Sequence, residues 1–163
     1  MCRSSPDHEA SRRALVLLCA VPALALDFRP FSRGSWQQLR NMHVGNPTIV
    51  HVWGLSCAPC VAELPRWGHL LQQRRNFQLV LIAADPIPEE PKQTMATLTK
   101  AGLGSAENWI IADRFAERLR FEIDPTWAGE LPFTLFMARD GKTTSTLGTV
   151  DFATVGAWLD SQR

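Results

Sequence analysis

The sequence predicts an α/β fold with one central mixed sheet flanked by helices, and three features carry that prediction. Two runs, Thr48-Ile49-Val50-His51-Val52-Trp53 and residues 77–84, are mostly apolar and read as buried strands. Segments with helical caps and helical spacing follow them. Near the end, two further strand-like runs flank Asp140-Gly141, a pair suited to a tight hairpin turn.

Taken in order, Ser35 followed by Trp36, Gln37, Gln38 and Leu39 suggests a short capped helix ending before the Gly45-Asn46-Pro47 turn. After the strand 48–53, a helix runs from about Ala58 to the Arg74/Arg75 region, bent by Pro65. The strand 77–84 is stopped by Asp85-Pro86. Pro86, Pro88 and Pro91 mark a loop into a helix over about 89–101, ended by Gly102 and Gly104. Trp109-Ile110-Ile111 is a short strand candidate, and Asp113 caps a helix with Phe115 and Leu119 on one face. The hairpin strands, 133–138 and 143–149, precede a helix capped by Asp151 with Phe152, Val155 and Leu159 turned inward. Six tryptophans beside no tyrosine speak mainly of core packing, so Trp36, Trp67, Trp109 and Trp158 are read as structural. His43 and His69 are read as surface residues.

At 163 residues, one domain is the natural count. The balance of 17 Lys+Arg against 16 Asp+Glu, spread evenly, leaves no basic stripe for a phosphate backbone, so nucleic acid is not an expected partner. With 45% hydrophobic residues the chain can bury a core and is not of the disordered class. No apolar run reaches the length of a spanning helix, which argues against a polytopic membrane protein.

The first 25 residues read as an address: a polar stretch ending in Arg12-Arg13, an apolar run from 14 to 26 interrupted by Pro22, and small residues at Ala23 and Ala25. That is the pattern of a secretory signal peptide with an A-x-A site, so cleavage is expected after Ala25, leaving a domain of residues 26–163 in the periplasm. An uncleaved membrane anchor is the alternative. Cleavage removes Arg3, Arg12 and Arg13 with Asp7 and Glu9, which leaves 14 charges of each sign. It also removes Cys2 and Cys19, so the exported domain keeps only Cys57 and Cys60.

These two make a C-x-x-C pair after a strand and at the start of a helix. A bridge across two residues closes almost no loop and adds little chain-entropy stabilisation, so chemistry is the better reason for it. Thiolate is the nucleophile in disulfide exchange, and the positive end of a helix lowers a thiol pKa from about 8.5. Cys57 is therefore expected to attack first, and Cys60, one turn further in, to resolve the mixed disulfide. A structural zinc site would want two more ligands, and neither a second C-x-x-C nor an H-x-x-x-H exists.

The segment Trp53-Gly54-Leu55-Ser56-Cys57-Ala58-Pro59-Cys60-Val61-Ala62-Glu63-Leu64-Pro65 resembles the active-site stretch of exported thioredoxin-like proteins of the TlpA, ResA and CcmG type, W-x-x-W-C-x-P-C followed by E-x-P. A second stretch, Gly129-Glu130-Leu131-Pro132-Phe133-Thr134-Leu135-Phe136 with Asp140-Gly141-Lys142 behind it, is similar to that family's G-x-P-x-T-F-x-x-D-x-x-G. Together the motifs and element order cover about residues 28–163.

The resemblance implies a thioredoxin fold with Pro132 in the cis form beside the sulfurs, and Leu131 offering its backbone to an extended substrate segment. Without the resemblance, Leu131-Pro132 reads as an ordinary trans strand start. Glu63 matches the family glutamate that helps move the proton of the buried sulfur; its alternative is a solvated helix residue. His51, six residues before Cys57, either relays the proton or is a satisfied core histidine, the second being preferred. Trp53 and Trp127 are candidates to line the groove near the sulfurs. Leu55-Ser56 departs from the pattern: a small hydroxyl stands where a bulky aromatic is common, which leaves the sulfur of Cys57 more open.

The expected function is a periplasmic thiol:disulfide oxidoreductase, monomeric and without a bound cofactor, acting on protein disulfides. Ala58-Pro59 resembles the reductive C-x-P-C type, so reduction is the expected direction. The family suggests apocytochrome c or copper-site cysteines as substrates, with a membrane thiol conduit as electron donor. The rival is a metallochaperone holding Cu(I) on Cys57, Cys60 and a histidine, although copper chaperones usually have three residues between the cysteines and here there are two. A thiol peroxidase would need a Thr-x-x-Cys site that the segment before Cys57 lacks, and a permanently oxidised interaction module is the remaining alternative.

Overall fold

The computed structural model describes residues 28–85 and 91–163. The expected signal segment lies outside them, as does the start of the expected helix 89–101. In chain order the elements are β1 (Arg29–Phe31), α1 (Ser35–Met42), β2 (Thr48–Trp53), α2 (Ala58–Gln73), β3 (Gln78–Ala83), α3 (Pro91–Lys100), β4 (Glu107–Ile111), α4 (Ala116–Ile123), β5 (Phe133–Met137), β6 (Thr143–Leu147) and α5 (Phe152–Ser161).

The strands form one sheet in the order β1-β4-β3-β2-β5-β6. β1, β4, β3 and β2 run parallel, whereas β5 is antiparallel to β2 and β6 antiparallel to β5. The expected mixed sheet is therefore present, with the hydrophobic β2 and β3 at its centre. Side chains alternate across a strand, so β2 and β3 feed two cores. Ile49, Trp53, Leu79 and Leu81 pack with Leu64 and Trp67 of α2, Leu98 of α3 and Val155 and Leu159 of α5. Val50, Val52, Val80 and Ile82 pack on the other face with Trp36 and Leu39 of α1 and Leu119 and Ile123 of α4. Full burial of each such side chain stabilises the fold by roughly 1.5 to 3 kcal/mol before the entropy of ordering is counted.

Helix α2 runs unbroken through Pro65. Helix α3 ends in a glycine cap: Gly102 takes a φ of 74°, and the Leu103 N–H returns to the Leu98 carbonyl at 2.9 Å. At α5 the Asp151 carboxylate accepts the N–H groups of Ala153 and Thr154 as expected, and Val155 and Leu159 are buried.

Four local expectations are corrected. The edge strand β1 was not foreseen, because a three-residue strand containing Pro30 carries no periodicity and proline fits only a sheet edge. Ser35 is the first residue of α1 rather than its cap, which is Gly34 at φ 79°; the Ser35 hydroxyl instead accepts the Ser32 N–H. Phe115 is exposed rather than turned inward; Asp113 accepts its N–H in a turn, and the Arg118 guanidinium lies 4.8 Å from the ring centroid. His43 is buried rather than on the surface, with Nε2 3.1 Å from a carboxylate oxygen of Glu107, which also accepts from Arg29 and Trp109.

Candidate active site

β2 ends at Trp53, and the chain turns through Gly54, Leu55 and Ser56 before α2 begins at Ala58 with Cys57 as its N-cap. The Sγ of Cys57 accepts the N–H of Cys60 at 3.3 Å, as a capping side chain does. Pro59 occupies the first turn, where its missing N–H would have had no intrahelical partner. Cys57 and Cys60 are joined in a disulfide with their Cα atoms 5.2 Å apart. Cys57 is partly exposed, and Cys60 has no exposed surface. The helix N-terminus favours negative charge at Cys57 once the bond is reduced.

One turn along α2 from Cys60 begins a buried polar group. Glu63, one turn beyond Cys60 on the same face of α2, is 4% exposed, which removes the reading of a solvated helix residue. Its Oε1 accepts the N–H of Val150 at 2.7 Å, and its Oε2 accepts the Trp67 indole N–H at 3.4 Å. Burial pushes its pKa above the ordinary carboxylate value, against the lowering influence of those two donors and of Arg66. His51 has no exposed surface, and burial lowers its pKa to about 3, so the imidazole is neutral. Its Nδ1 meets the hydroxyl of Thr134 at 3.0 Å, while Nε2 has no hydrogen-bond partner and stands 3.8 Å from Glu63 Oε2. The preferred reading of a satisfied core histidine holds for one ring nitrogen only.

The second motif meets the first through strand pairing. Val52 pairs with Phe133 and His51 with Thr134, so the start of β5 lies beside the end of β2 that delivers the cysteine loop. The Leu131-Pro132 peptide is cis, as the resemblance implied, and Leu131 is partly buried against the core that contains Cys60. Trp127 is nearly buried, stacked on Phe133 at 4.5 Å between centroids, and its indole N–H donates to the Glu130 carbonyl. That bond ties Trp127 to the residue before Leu131, and the ring lies in the core that does not contain Cys60, so the expectation that it lines the groove is corrected. Trp53 has no exposed surface and packs in the core with Cys60, so the expectation that it lines the groove is corrected as well. Among the described residues, no cluster of three or more His, Cys, Asp or Glu is arranged to hold a metal ion.

No family model matches the chain, and no curated protein matches it. Solved structures do. A secreted disulfide oxidoreductase of Mycobacterium tuberculosis, described as homologous to E. coli DsbE, superposes with a TM-score of 0.60 at 18% identity, covering 74% of this chain and 85% of the other. A thiol:disulfide interchange protein of the thioredoxin family from Chlorobium tepidum gives 0.57 at 20% identity, over 84% of this chain and 88% of the other. A secreted thiol-disulfide isomerase from Corynebacterium glutamicum gives 0.57 at 20% identity, over 75% and 71%. The chain has the thioredoxin fold.

Of the residues named from the sequence, Cys57, Cys60 and Leu131 pack together in one core, His51 lies beside Glu63, and Pro132 is cis; three partners of theirs were not named as such. Trp67, taken as structural, donates to Glu63 and packs its ring 5.2 Å from His51. Thr134 anchors His51, a contact that only the β2–β5 register creates. Asp85, taken as a strand stop, accepts from the N–H groups of Leu55 and Ser56 and from the Ser56 hydroxyl. Its signal was available: loops after neighbouring parallel strands converge at their carboxyl ends.

Proposed function

We propose that this chain is an exported thiol:disulfide oxidoreductase that reduces disulfides in partner proteins and carries no bound cofactor. The observation that carries the reading is the asymmetry of the C-x-x-C pair: Cys57 is partly exposed at a helix N-terminus, and Cys60 is wholly buried one turn behind it. The similar structures, a disulfide oxidoreductase, a thiol:disulfide interchange protein and a thiol-disulfide isomerase, two of them secreted, support the same chemistry.

In the dithiol form, the Cys57 thiolate attacks one sulfur of a partner disulfide. A Cys57–partner bond forms, the partner's own S–S bond breaks, and its second sulfur leaves as a thiolate that takes a proton from water. Cys60 then gives its proton to the Glu63 carboxylate and attacks the Cys57 sulfur. The Cys57–Cys60 bond forms again, the Cys57–partner bond breaks, the partner's first sulfur leaves as a thiolate that takes the proton held by Glu63, and the partner departs as a dithiol. The partner has gained two electrons and two protons, and the oxidised chain needs a thiol donor to recharge it. The backbone of Leu131, ahead of Pro132, offers an edge for an extended partner segment. The proposed setting is the periplasm, reached through a signal at residues 1–25, with a membrane thiol conduit as donor and apocytochrome c or copper-site cysteines as substrates of the resembled family; the chain is taken as a monomer.

The test is capture. Cys60→Ser is expected to accumulate a mixed disulfide with protein partners in a periplasmic extract, released by dithiothreitol, while Cys57→Ser captures nothing. A Cys60→Ser protein that traps no partner overturns the exchange reading. A reduction potential near or below roughly −250 mV for residues 26–163 fits a reductant, and one between roughly −180 and −120 mV reverses the direction.

A further inference from the structure

His51 and Glu63 are both buried, and each carries one polar atom turned toward the other. The identity of the proton between them follows from Thr134. This hydroxyl has no exposed surface, and His51 Nδ1 is its side-chain partner among the described residues. In either arrangement one buried hydrogen, on Nε2 or on the Thr134 hydroxyl, is left without a hydrogen bond; the one on Nε2 faces a carboxylate, so the favoured arrangement has Thr134 donating and Nδ1 accepting. A neutral imidazole whose Nδ1 accepts carries its hydrogen on Nε2. That N–H stands 3.8 Å from Glu63 Oε2, longer than a hydrogen bond, and Nε2 has no hydrogen-bond partner among the described residues, so the carboxylate is the charge it faces.

The surroundings leave this pair alone in the core. From α2 it faces Arg66 and Trp67, with Cys60 in the same core; from β5, Thr134; from the turn before α5, the Val150 N–H, with Asp151 beyond. β3 presents apolar residues, Leu81 pairing with His51. Arg66, exposed, is the one cation facing Glu63 among the described residues.

We propose that His51 is a positioning residue for Glu63: its Nε2–H, set by Thr134, holds the buried side chain as the carboxylate that takes the proton of Cys60. The inference rests on the exchange chemistry proposed above. Without the imidazole donor, burial acts on Glu63 with less opposition, and the acid form persists to higher pH. The step affected is resolution, in which the Cys60 proton passes to Glu63, the Cys60 sulfur bonds to Cys57, and the Cys57–partner bond breaks to release the partner's sulfur as a thiolate.

The first test needs no variant and no substrate. Nitrogen-15 shifts of the His51 ring, measured on the oxidised chain from pH 4 to 8, are expected to show a neutral imidazole protonated at Nε2, with the Nε2 signal moving as Glu63 titrates. A hydrogen on Nδ1, an imidazolium at neutral pH, or an Nε2 signal indifferent to Glu63 overturns the proposal. These readings stand even if the chain exchanges no disulfide. The second test follows release of a disulfide-linked model peptide from Cys57 against pH. His51→Leu is expected to move the acid limb of the rate up by about one pH unit, roughly tenfold slower on that limb, and His51→Gln, which keeps an N–H donor, to restore most of it. A limb that does not move, or equal shifts in both variants, overturns it.

Discussion

The carboxylate of Asp85, two residues beyond the end of β3, accepts a hydrogen bond from the Ser56 hydroxyl at 3.0 Å, so one acidic side chain ties the loop that delivers Cys57 to the neighbouring strand. The same carboxylate accepts the N–H groups of Leu55 and Ser56. Gly54 makes room for it, since a Cβ there would stand 2.9 Å from Oδ1.

Asp85→Ala is therefore expected to cost about 2 kcal/mol and several degrees of Tm in the oxidised chain, because three donors lose one acceptor. Ser56→Ala, which removes a single bond, is expected to cost about half as much. Thermal unfolding of the two variants side by side checks the ratio; an unchanged Tm in Asp85→Ala removes the tether from the account.

Stability is expected to fall on the acid side through His51. Its folded pKa of about 3 lies below the ordinary 6.5, so the unfolded chain binds its proton first as pH drops. The stability from keeping it neutral is complete above pH 6.5 and is lost progressively toward pH 3. Glu63 acts in the opposite sense: its pKa is raised by burial, so its contribution grows as pH falls through the folded value toward 4.5 and offsets part of the loss. Urea unfolding at pH 7.5, 5.5 and 4.5 is expected to show a decline of a few kcal/mol, flattened in His51→Gln.

Glu63→Gln keeps an amide oxygen for the Val150 N–H but gives up the proton acceptor. Resolution of the mixed disulfide is expected to slow by about a hundredfold and to lose its dependence on a carboxylate. Stopped-flow release of a labelled peptide reads it, and an unslowed variant would remove Glu63 from the proton path.

Gly68 lies where α2 crosses the end of α3, and a Cβ there would meet the carbonyl oxygen of Ala101. Backbone cannot yield as a flexible side chain can, so Gly68→Ala is expected to cost about 3 kcal/mol, the upper end of overpacking penalties. Denaturant unfolding with unchanged m-value and lowered midpoint is the expected signature.

The fold was readable because its long elements carry strong local signals. β2 and β3 are almost wholly buried and hence mostly apolar, and α5 announces itself with a capping aspartate and inward residues at helical spacing. β1 was unreadable since three residues with a proline form a strand only when β4 is there to pair with. Phe115 was misread because a turn held by Asp113 starts α4 later than the cap pattern suggested, which leaves the ring outside the helix face.

From the sequence by itself come the C-x-x-C pair at a helix start and a glutamate one turn beyond it, because each depends on spacing within one helix: a cap, a residue one turn in, a residue one turn further. The environment of those groups belongs to the tertiary structure. The β2–β5 register sets Thr134 against His51, the turn before α5 brings the Val150 N–H to Glu63, and adjacent parallel strands carry Asp85 to the cysteine loop. Burial and these long-range hydrogen bonds shift the proton affinities of His51 and Glu63, and both arise from residues distant in the chain that only packing brings together.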